Sequence, residues 1–271
     1  MRRTILMASS VWFLMASLSA DEPIMNMMPR WDDGWGYQFI EEYRHESDLL
    51  LGSRALHPGY TEDVHLLHFQ SVYTWDKSIR LTAKLPYVLD ARREMPDGSG
   101  GKRIEHDNGI GDATLALPLK KYFNLDGKSG SWTFKPMLRL PFSGTDDYEI
   151  YDNEWGNGLG LGYEYETAKF HVHVSTSGWV YHGNEPFESW STLDLGYNFN
   201  AWGTNAALMW ETDFHYEDNG SETLLAGPAL YWNINDTAHF RIEWKHDFHD
   251  RQGVMDHGNG DVFKFSLGFV F

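Results

Sequence analysis

From about residue 35 onward the chain keeps one rhythm: apolar or aromatic residues recur at every second position with polar residues between them. No 3.6-residue period persists over three turns in that stretch. The apolar members run Trp35/Tyr37/Phe39/Tyr43, Leu67/Phe69/Tyr73/Trp75, Ile79/Leu81/Ala83/Leu85/Tyr87 and Ala113/Leu115/Leu117/Leu119. They continue as Trp132/Phe134/Leu138/Leu140/Phe142, Leu159/Leu161/Tyr163/Tyr165, Phe170/Val172/Val174/Val180 and Leu193/Leu195/Tyr197/Phe199. Leu208/Trp210/Phe214/Tyr216, Leu224/Ala226/Leu230/Trp232 and Phe240/Ile242/Trp244/Phe248 precede the last run, Phe263/Phe265/Leu267/Phe269/Phe271. Successive side chains of a strand point to opposite faces, so each run presents one apolar and one polar face. Twelve such runs, each of about 10 to 14 residues, predict an all-β fold, an antiparallel transmembrane β-barrel of about 12 strands over residues 35–271.

The connections alternate in length, a second and independent signal. Short links fall at Asp76-Lys77, Asn124 to Gly130, Thr167-Ala168, Asn200 to Trp202 and Asn235-Asp236, and long ones at 46–62, 90–108, 143–155, 183–188, 217–222 and 249–260. Short periplasmic turns opposite longer outer loops are the pattern of a membrane barrel; an eight-stranded soluble barrel would leave four runs over. The closing run then turns Phe263, Phe265, Leu267, Phe269 and Phe271 to lipid, and its terminal Phe resembles the end signal read by the barrel-assembly machinery of the outer membrane. One residue breaks the pattern: Glu41 stands on the outward parity of the first run, which a bulge or a position above the lipid band would accommodate.

The remaining features refine this picture. Arg2 and Arg3 precede an apolar run from Ile5 to Leu18 that ends at Ser19-Ala20, which reads as a secretory signal over residues 1–20 and leaves 21–34 as an N-terminal periplasmic or plugging segment. That segment contains Met25 to Met28, whose thioethers suit Cu(I), but a plain flexible segment is the simpler reading. There is no cysteine and hence no disulfide framework. With 22 Lys and Arg against 39 Asp and Glu, the net charge of −17 excludes nucleic acid as a partner. Mean hydropathy is −0.48, as expected where the strands alternate rather than run apolar. Aromatics at 15 % suit interfacial girdles. The expected partners are outer-membrane lipid and lipopolysaccharide, the assembly machinery, and a small-molecule solute.

The inward parity is charged. Its basic members are Arg44, Arg80, Lys84, Lys120, Lys135, Arg139, Arg241, Lys245 and Lys264; its acidic members are Glu42, Asp112, Glu164, Glu166, Asp194, Glu211, Asp213, Glu243 and Asp247. Such a balanced set either fills the barrel with ion pairs or lines a polar path whose charges set selectivity, and both hold if the network leaves a gap. His171 and His173 share this face with Ser175, so a nucleophilic pair enters consideration, but no third group that would orient the base is legible, and no catalytic residue is assigned. Two His residues on one strand need partners from neighbouring strands to hold a metal, so no metal or cofactor is expected. The surplus acid falls in the outer loops, above all Asp146, Asp147, Glu149, Asp152 and Glu154, a rim that would concentrate cations.

Four stretches, MPRWDDGWGYQF at 28–39, TWDKSIRLTAKLPYVL at 74–89, GIGDATLAL at 109–117 and LRLPFSG at 138–144, resemble the family of small outer-membrane barrels catalogued under meta-pathway phenol degradation. The resemblance spans most of the mature chain, departs where Phe142 follows Leu140-Pro141, and implies a transporter with no defined catalytic residues. Within the third stretch, Gly109 and Gly111 predict a bulge or a close neighbour, and Asp112 a partner in Arg80 or Lys84. The expected function is an outer-membrane channel for a small solute, hydrophobic and aromatic ones included. The alternatives are a non-transporting structural or envelope-sensing barrel and, third, a lipid-active enzyme.

Overall fold

The structure, a computed structural model, describes residues 33–125, 128–144, 150–201, 204–235 and 237–271. The expected signal at 1–20 and residues 21–32 of the expected N-terminal segment 21–34, Met25 to Met28 included, lie outside the described residues, while Gly34 opens the first strand. Among the described residues every regular element is a strand: β1 Gly34–Gly52, β2 Arg54–Asp76, β3 Ile79–Pro96, β4 Lys102–Ile110, β5 Ala113–Ala116, β6 Leu119–Leu125 and β7 Lys128–Leu140. They are followed by β8 Gly156–Glu166, β9 Phe170–Tyr181, β10 Glu188–Ala201, β11 Thr204–Glu217, β12 Glu222–Asn233 and β13 Ala238–Val270. No helix is long and apolar enough to cross a membrane among the described residues.

All neighbours are antiparallel. Hydrogen bonding runs β2-β1-β13-β12-β11-β10-β9-β8-β7-β5-β3, and the β2–β3 pairing closes the ring of eleven elements. β13 crosses twice. Its residues 239–251 pair with β12 and 252–270 pair with β1, and the arms face each other through Gly260 N to Asp247 at 3.0 Å and stacked Phe240 and Phe265. With β13 counted for both its arms the wall has twelve crossings, as the alternation predicts. β4, β5 and β6 together make one of them: all pair with β3, and the line is interrupted at Gly111-Asp112 and at Leu117-Pro118, where proline has no N–H for the ladder.

The faces divide as expected. Phe39, Trp132, Leu159, Trp210 and Phe248 are exposed, while Glu42, Gln70, Ser177, Glu211 and Lys245 are buried, so the apolar side faces lipid and the lumen is polar. Some inward positions are apolar nonetheless, as in the cluster of Ala116, Met137 and Trp179 and that of Val64, Leu66, Val88 and Ala91. The closing run keeps its place: Phe263, Leu267 and Phe269 oppose Tyr43, Phe39 and Tyr37, with Phe263, Phe265 and Phe271 exposed. At that end Trp35, Tyr37, Tyr73, Trp75 and Phe271 form an aromatic girdle.

Three expected outer loops are strands instead. At 46–62, 90–108 and 249–260 the paired strands continue upward as tall hairpins, because every backbone N–H and C=O left in a loop needs a partner and the ladder supplies it. Irregular connections persist at residues 150–155 and 182–187. On the outer face, His45 and Asp63 pair at 2.8 Å, Asp261 meets His246 at 3.1 Å, and Tyr43 and Trp244 donate to the same two carboxylates. This polar belt stands ten residues above Trp35, about 33 Å of strand and about 25 Å of height at a barrel tilt, and marks the outer edge of the lipid band. Glu41 needs no bulge; it faces outward just beneath the belt, 3.0 Å from His65 Nε2.

Closure brings Gly34 against the chain end. Its φ is +110°, and a Cβ there would lie 2.3 Å from the Phe271 carbonyl oxygen. Gly34→Ala is expected to destabilise the barrel by about 1–3 kcal/mol through a strained backbone at the closing seam. Urea unfolding from lipid vesicles measures it, and a midpoint equal to that of the unsubstituted chain would refute the tight seam.

Candidate functional site

The lumen holds a cavity of about 470 Å³ among the hairpins at its outer end. Its walls carry Glu46, Glu62, Asp152, Glu185, Glu188, Glu217, Asp247 and Asp256, and its floor Glu42 and Asp213, against Arg44, Arg93, Arg139, Lys245 and Lys264. Each of those cations already has a carboxylate. Arg44 meets Glu42, Arg93 meets Glu105 at 2.6 Å, Arg139 meets Glu188 at 3.7 Å, Lys245 meets Asp213 at 2.6 Å and Lys264 meets Glu243 at 3.4 Å. Negative charge is therefore in excess. Burial, then Glu185, pushes Asp152 up to about 7, and burial likewise raises Glu217. Tyr151, Tyr181 and Trp190 add aromatic faces to this vestibule.

Beneath it the lumen is packed with ion pairs. Lys245 reaches Asp213 at 2.6 Å, Glu211 at 3.1 Å and Glu243 at 3.6 Å; Arg241 reaches Glu211 at 2.6 Å and Glu243 at 2.7 Å. Lys264 joins Glu243 to Glu42, and His68 Nε2 completes the chain at 3.1 Å from Glu42. Antiparallel pairing explains the gathering, because same-face residues on β1, β11 and the two arms of β13 fall at one height. Farther round the wall, Lys120 pairs with Glu164 at 2.7 Å and His173 with Asp194 at 2.8 Å. Buried polar atoms without a protein partner remain at both ring nitrogens of His171, Ser175 Oγ, Gln70 Oε1 and Asp194 Oδ1. Buried polar atoms of this kind normally take water as their partner.

Of the lumen residues expected from parity, the structure gathers Asp213, Glu211, Arg241, Glu243, Lys245 and Lys264 into one network, and places Glu164, His171, His173, Asp194 and Lys135 in the wall beside it. Arg80 is buried and Lys84 half-buried on the same face. Arg139 belongs higher, where its guanidinium stacks 5.2 Å from Trp179 and 5.0 Å from Tyr181. Asp112 departs from expectation. Its Oδ1 accepts from the Phe142 and Ser143 N–H groups at 2.9 and 3.0 Å, not from Arg80 or Lys84, because the break at Gly111 turns it toward the 142–143 backbone. Gly111 itself is explained by a close neighbour: a Cβ there would lie 2.3 Å from the Tyr151 ring.

Of the expected rim, Asp152 lines the vestibule, whereas Glu154 accepts from the Asn184 N–H at 2.8 Å and anchors a loop. Asp146, Asp147 and Glu149 lie outside the described residues. Glu46 and Glu62 were hidden in an expected loop, though they share the inward parity of Glu42 and Val64 and become legible once the strands are extended. The His173-Asp194 pair does supply an orienting group for the base. The cavity at Ser175 and His173, however, is about 20 Å³, room for a water and not for a lipid. Among the described residues no group of three or more His, Asp or Glu side chains is placed to hold a metal.

A closed, lipid-facing antiparallel barrel with a polar lumen defines an outer-membrane protein of a Gram-negative bacterium. A family model described as "Putative MetA-pathway of phenol degradation" matches residues 51–265, and the chain belongs to that family. A solved outer membrane channel from Pseudomonas putida F1 superposes with a TM-score of 0.72 at 14 % identity, covering 93 % of this chain and 100 % of that one. The KdgM porin gives 0.48 at 8 % identity over 86 % of this chain and 99 % of its own. A channel named for monoaromatic hydrocarbons, CymD, gives 0.44 at 8 % identity over 89 % of each. The first of these establishes the fold. No curated protein matches the chain.

Proposed function

We propose that the protein is a channel that admits a small solute from outside through the acidic vestibule, and that it prefers cations. The observation that carries this reading is the cavity of about 470 Å³ whose carboxylates outnumber its already paired cations. Field lines focused in a walled cleft raise the local concentration of the opposite charge. The incompletely paired polar interior below supports a path onward. An acidic lining suits polar or cationic solutes better than hydrophobic hydrocarbons. Outer-lipid contacts through the lipopolysaccharide layer, and assembly through the closing aromatic strand, complete the proposal.

A second reading rests on the same floor. The network around Lys245 fills the lumen and supports a closed barrel with a structural or envelope-sensing role. Single-channel recording in planar bilayers separates the two. Discrete conductance steps are expected for the full chain, larger once residues 21–34 are deleted; no steps from either form and no solute uptake into liposomes would establish the closed barrel.

A further inference from the structure

In the vestibule wall His257 faces carboxylates with a lone pair. Its side chain is 0 % exposed, and Nε2 lies 3.1 Å from the Glu94 carbonyl oxygen. A carbonyl only accepts, so Nε2 carries the proton and donates it. Burial holds the imidazole below its ordinary pKa, which leaves Nδ1 unprotonated. That nitrogen has no hydrogen-bond partner, and it looks at Glu62 Oε1 at 4.0 Å and Asp256 Oδ1 at 3.9 Å. Asp256 Oδ1 accepts the His257 backbone N–H at 2.9 Å and keeps a lone pair, so the buried Nδ1 lone pair and two carboxylates face one another in the vestibule wall, an arrangement that suits a donor cation. Glu46 adds to the acid here: burial, then Glu62 and Asp256, pushes its carboxyl well above the usual range.

We propose that His257 Nδ1, Glu62 and Asp256 form a subsite for the ammonium group of a small primary amine entering the vestibule. The subsite deepens the channel reading by naming its class of solute, and it rests on the vestibule being reached from outside. An alkylammonium has three N–H donors for these three acceptors. The spacing also chooses between cations. Charge-assisted N–H···O bonds of about 2.8 Å place two acceptors about 4 to 4.6 Å apart around one nitrogen, which the 3.9 and 4.0 Å separations nearly match. Tetrahedral zinc at about 2.1 Å would need its ligands about 3.4 Å apart, closer than they stand. The alkyl chain of the amine has Tyr151, Tyr181 and Trp190 to lie against, and Asp152 and Glu217 offer charge to a second ammonium group.

The test is calorimetry on the full chain refolded in detergent, at low salt, with n-butylamine, 1,4-diaminobutane, tetramethylammonium and magnesium ion as separate probes. One-site binding of the two primary amines is expected, the diamine tighter. Tetramethylammonium, which has no N–H, should bind at least tenfold more weakly than butylamine. Glu62→Gln combined with Asp256→Asn should weaken the diamine at least tenfold. His257→Phe, which keeps a ring in place and removes the Nδ1 acceptor, should weaken it about threefold or more. Circular dichroism and heat-modifiable gel migration confirm that each variant is folded, and the comparison among probes on the unsubstituted chain needs no variant. Tetramethylammonium or magnesium binding as tightly as butylamine, or no amine binding at all, overturns the subsite. Calorimetry does not require conduction, so amine binding to a barrel without conductance upholds the subsite and refutes the channel, and conductance without amine binding does the reverse.

Discussion

Replacing Lys245 with methionine is expected to cost the barrel about 3–5 kcal/mol, the penalty for leaving buried partners of an ion pair uncompensated. The ammonium stands within 2.6 to 3.6 Å of Asp213, Glu211 and Glu243, and all four side chains are at most 3 % exposed. Without it three carboxylates share a buried space with Arg241 and Lys264 as their remaining nearby cations. Lys245→Arg keeps the charge and should recover most of the loss. Arg103→Gln is the contrast. Arg103 pairs with Glu105 but is 63 % exposed, and such a surface pair contributes at most about 1 kcal/mol. Urea unfolding from lipid vesicles reads all three, and a Lys245→Met barrel within about 1 kcal/mol of the original would show that the network does not hold the lumen together.

The second large effect is on ion preference. In a potassium chloride gradient at 0.1 M the reversal potential should indicate cation selectivity, and at 1 M the preference should fade, since screening shortens from about 10 Å to about 3 Å. Neutralising Glu46, Glu62, Asp152, Glu217 and Asp256 together, by Gln and Asn, should lower the permeability ratio of potassium to chloride at least threefold at low salt. The pH dependence has a definite sign. Burial and then Glu185 raise Asp152 to about 7, and burial also raises Glu46 and Glu217, so each gains its charge at higher pH than a free carboxylate, Asp152 over a window centred near pH 7. Cation preference should therefore grow as pH rises over that window. Anion preference at low salt and pH 8 would refute the acidic vestibule as the selective element.

The paired selectivity and stability experiments probe different heights of one lumen. Vestibule carboxylates can be neutralised without touching the Lys245 network, since the two sets share only Glu42, Asp213, Lys245 and Lys264 at the floor. A variant that loses selectivity and keeps its unfolding midpoint thus assigns the two roles to separate residues. The lipid face offers a third independent region. Glu41 and His65 pair there at 3.0 Å, outside the lumen, and belong to neither effect.

Much of this architecture was legible along the chain. Lipid favours apolar side chains on the outer face, and a strand alternates its faces residue by residue, so Phe39, Leu67, Trp132 and Phe265 declare the outside with no knowledge of their neighbours. The same parity named Glu211, Arg241, Glu243 and Lys245 as inward. What it left open was which inward charges meet. Arg241 finds Glu211 from 30 residues away, and His257 finds the Glu94 carbonyl across 163, separations set only by register and ring closure. Local breaks were equally hidden. Asn259, at φ +61°, interrupts the alternation beside His257, and the break at Gly111 redirects Asp112 from a neighbouring cation to the 142–143 backbone. Hairpin height also escaped the pattern, because above the lipid band no solvent difference between faces enforces apolar alternation, and polar strands read as loops. The sequence alone thus determined the barrel and its outer face, both consequences of a local two-residue period. The vestibule and the network below it were decided by tertiary pairing, because they join side chains that only the closed ring brings to one height.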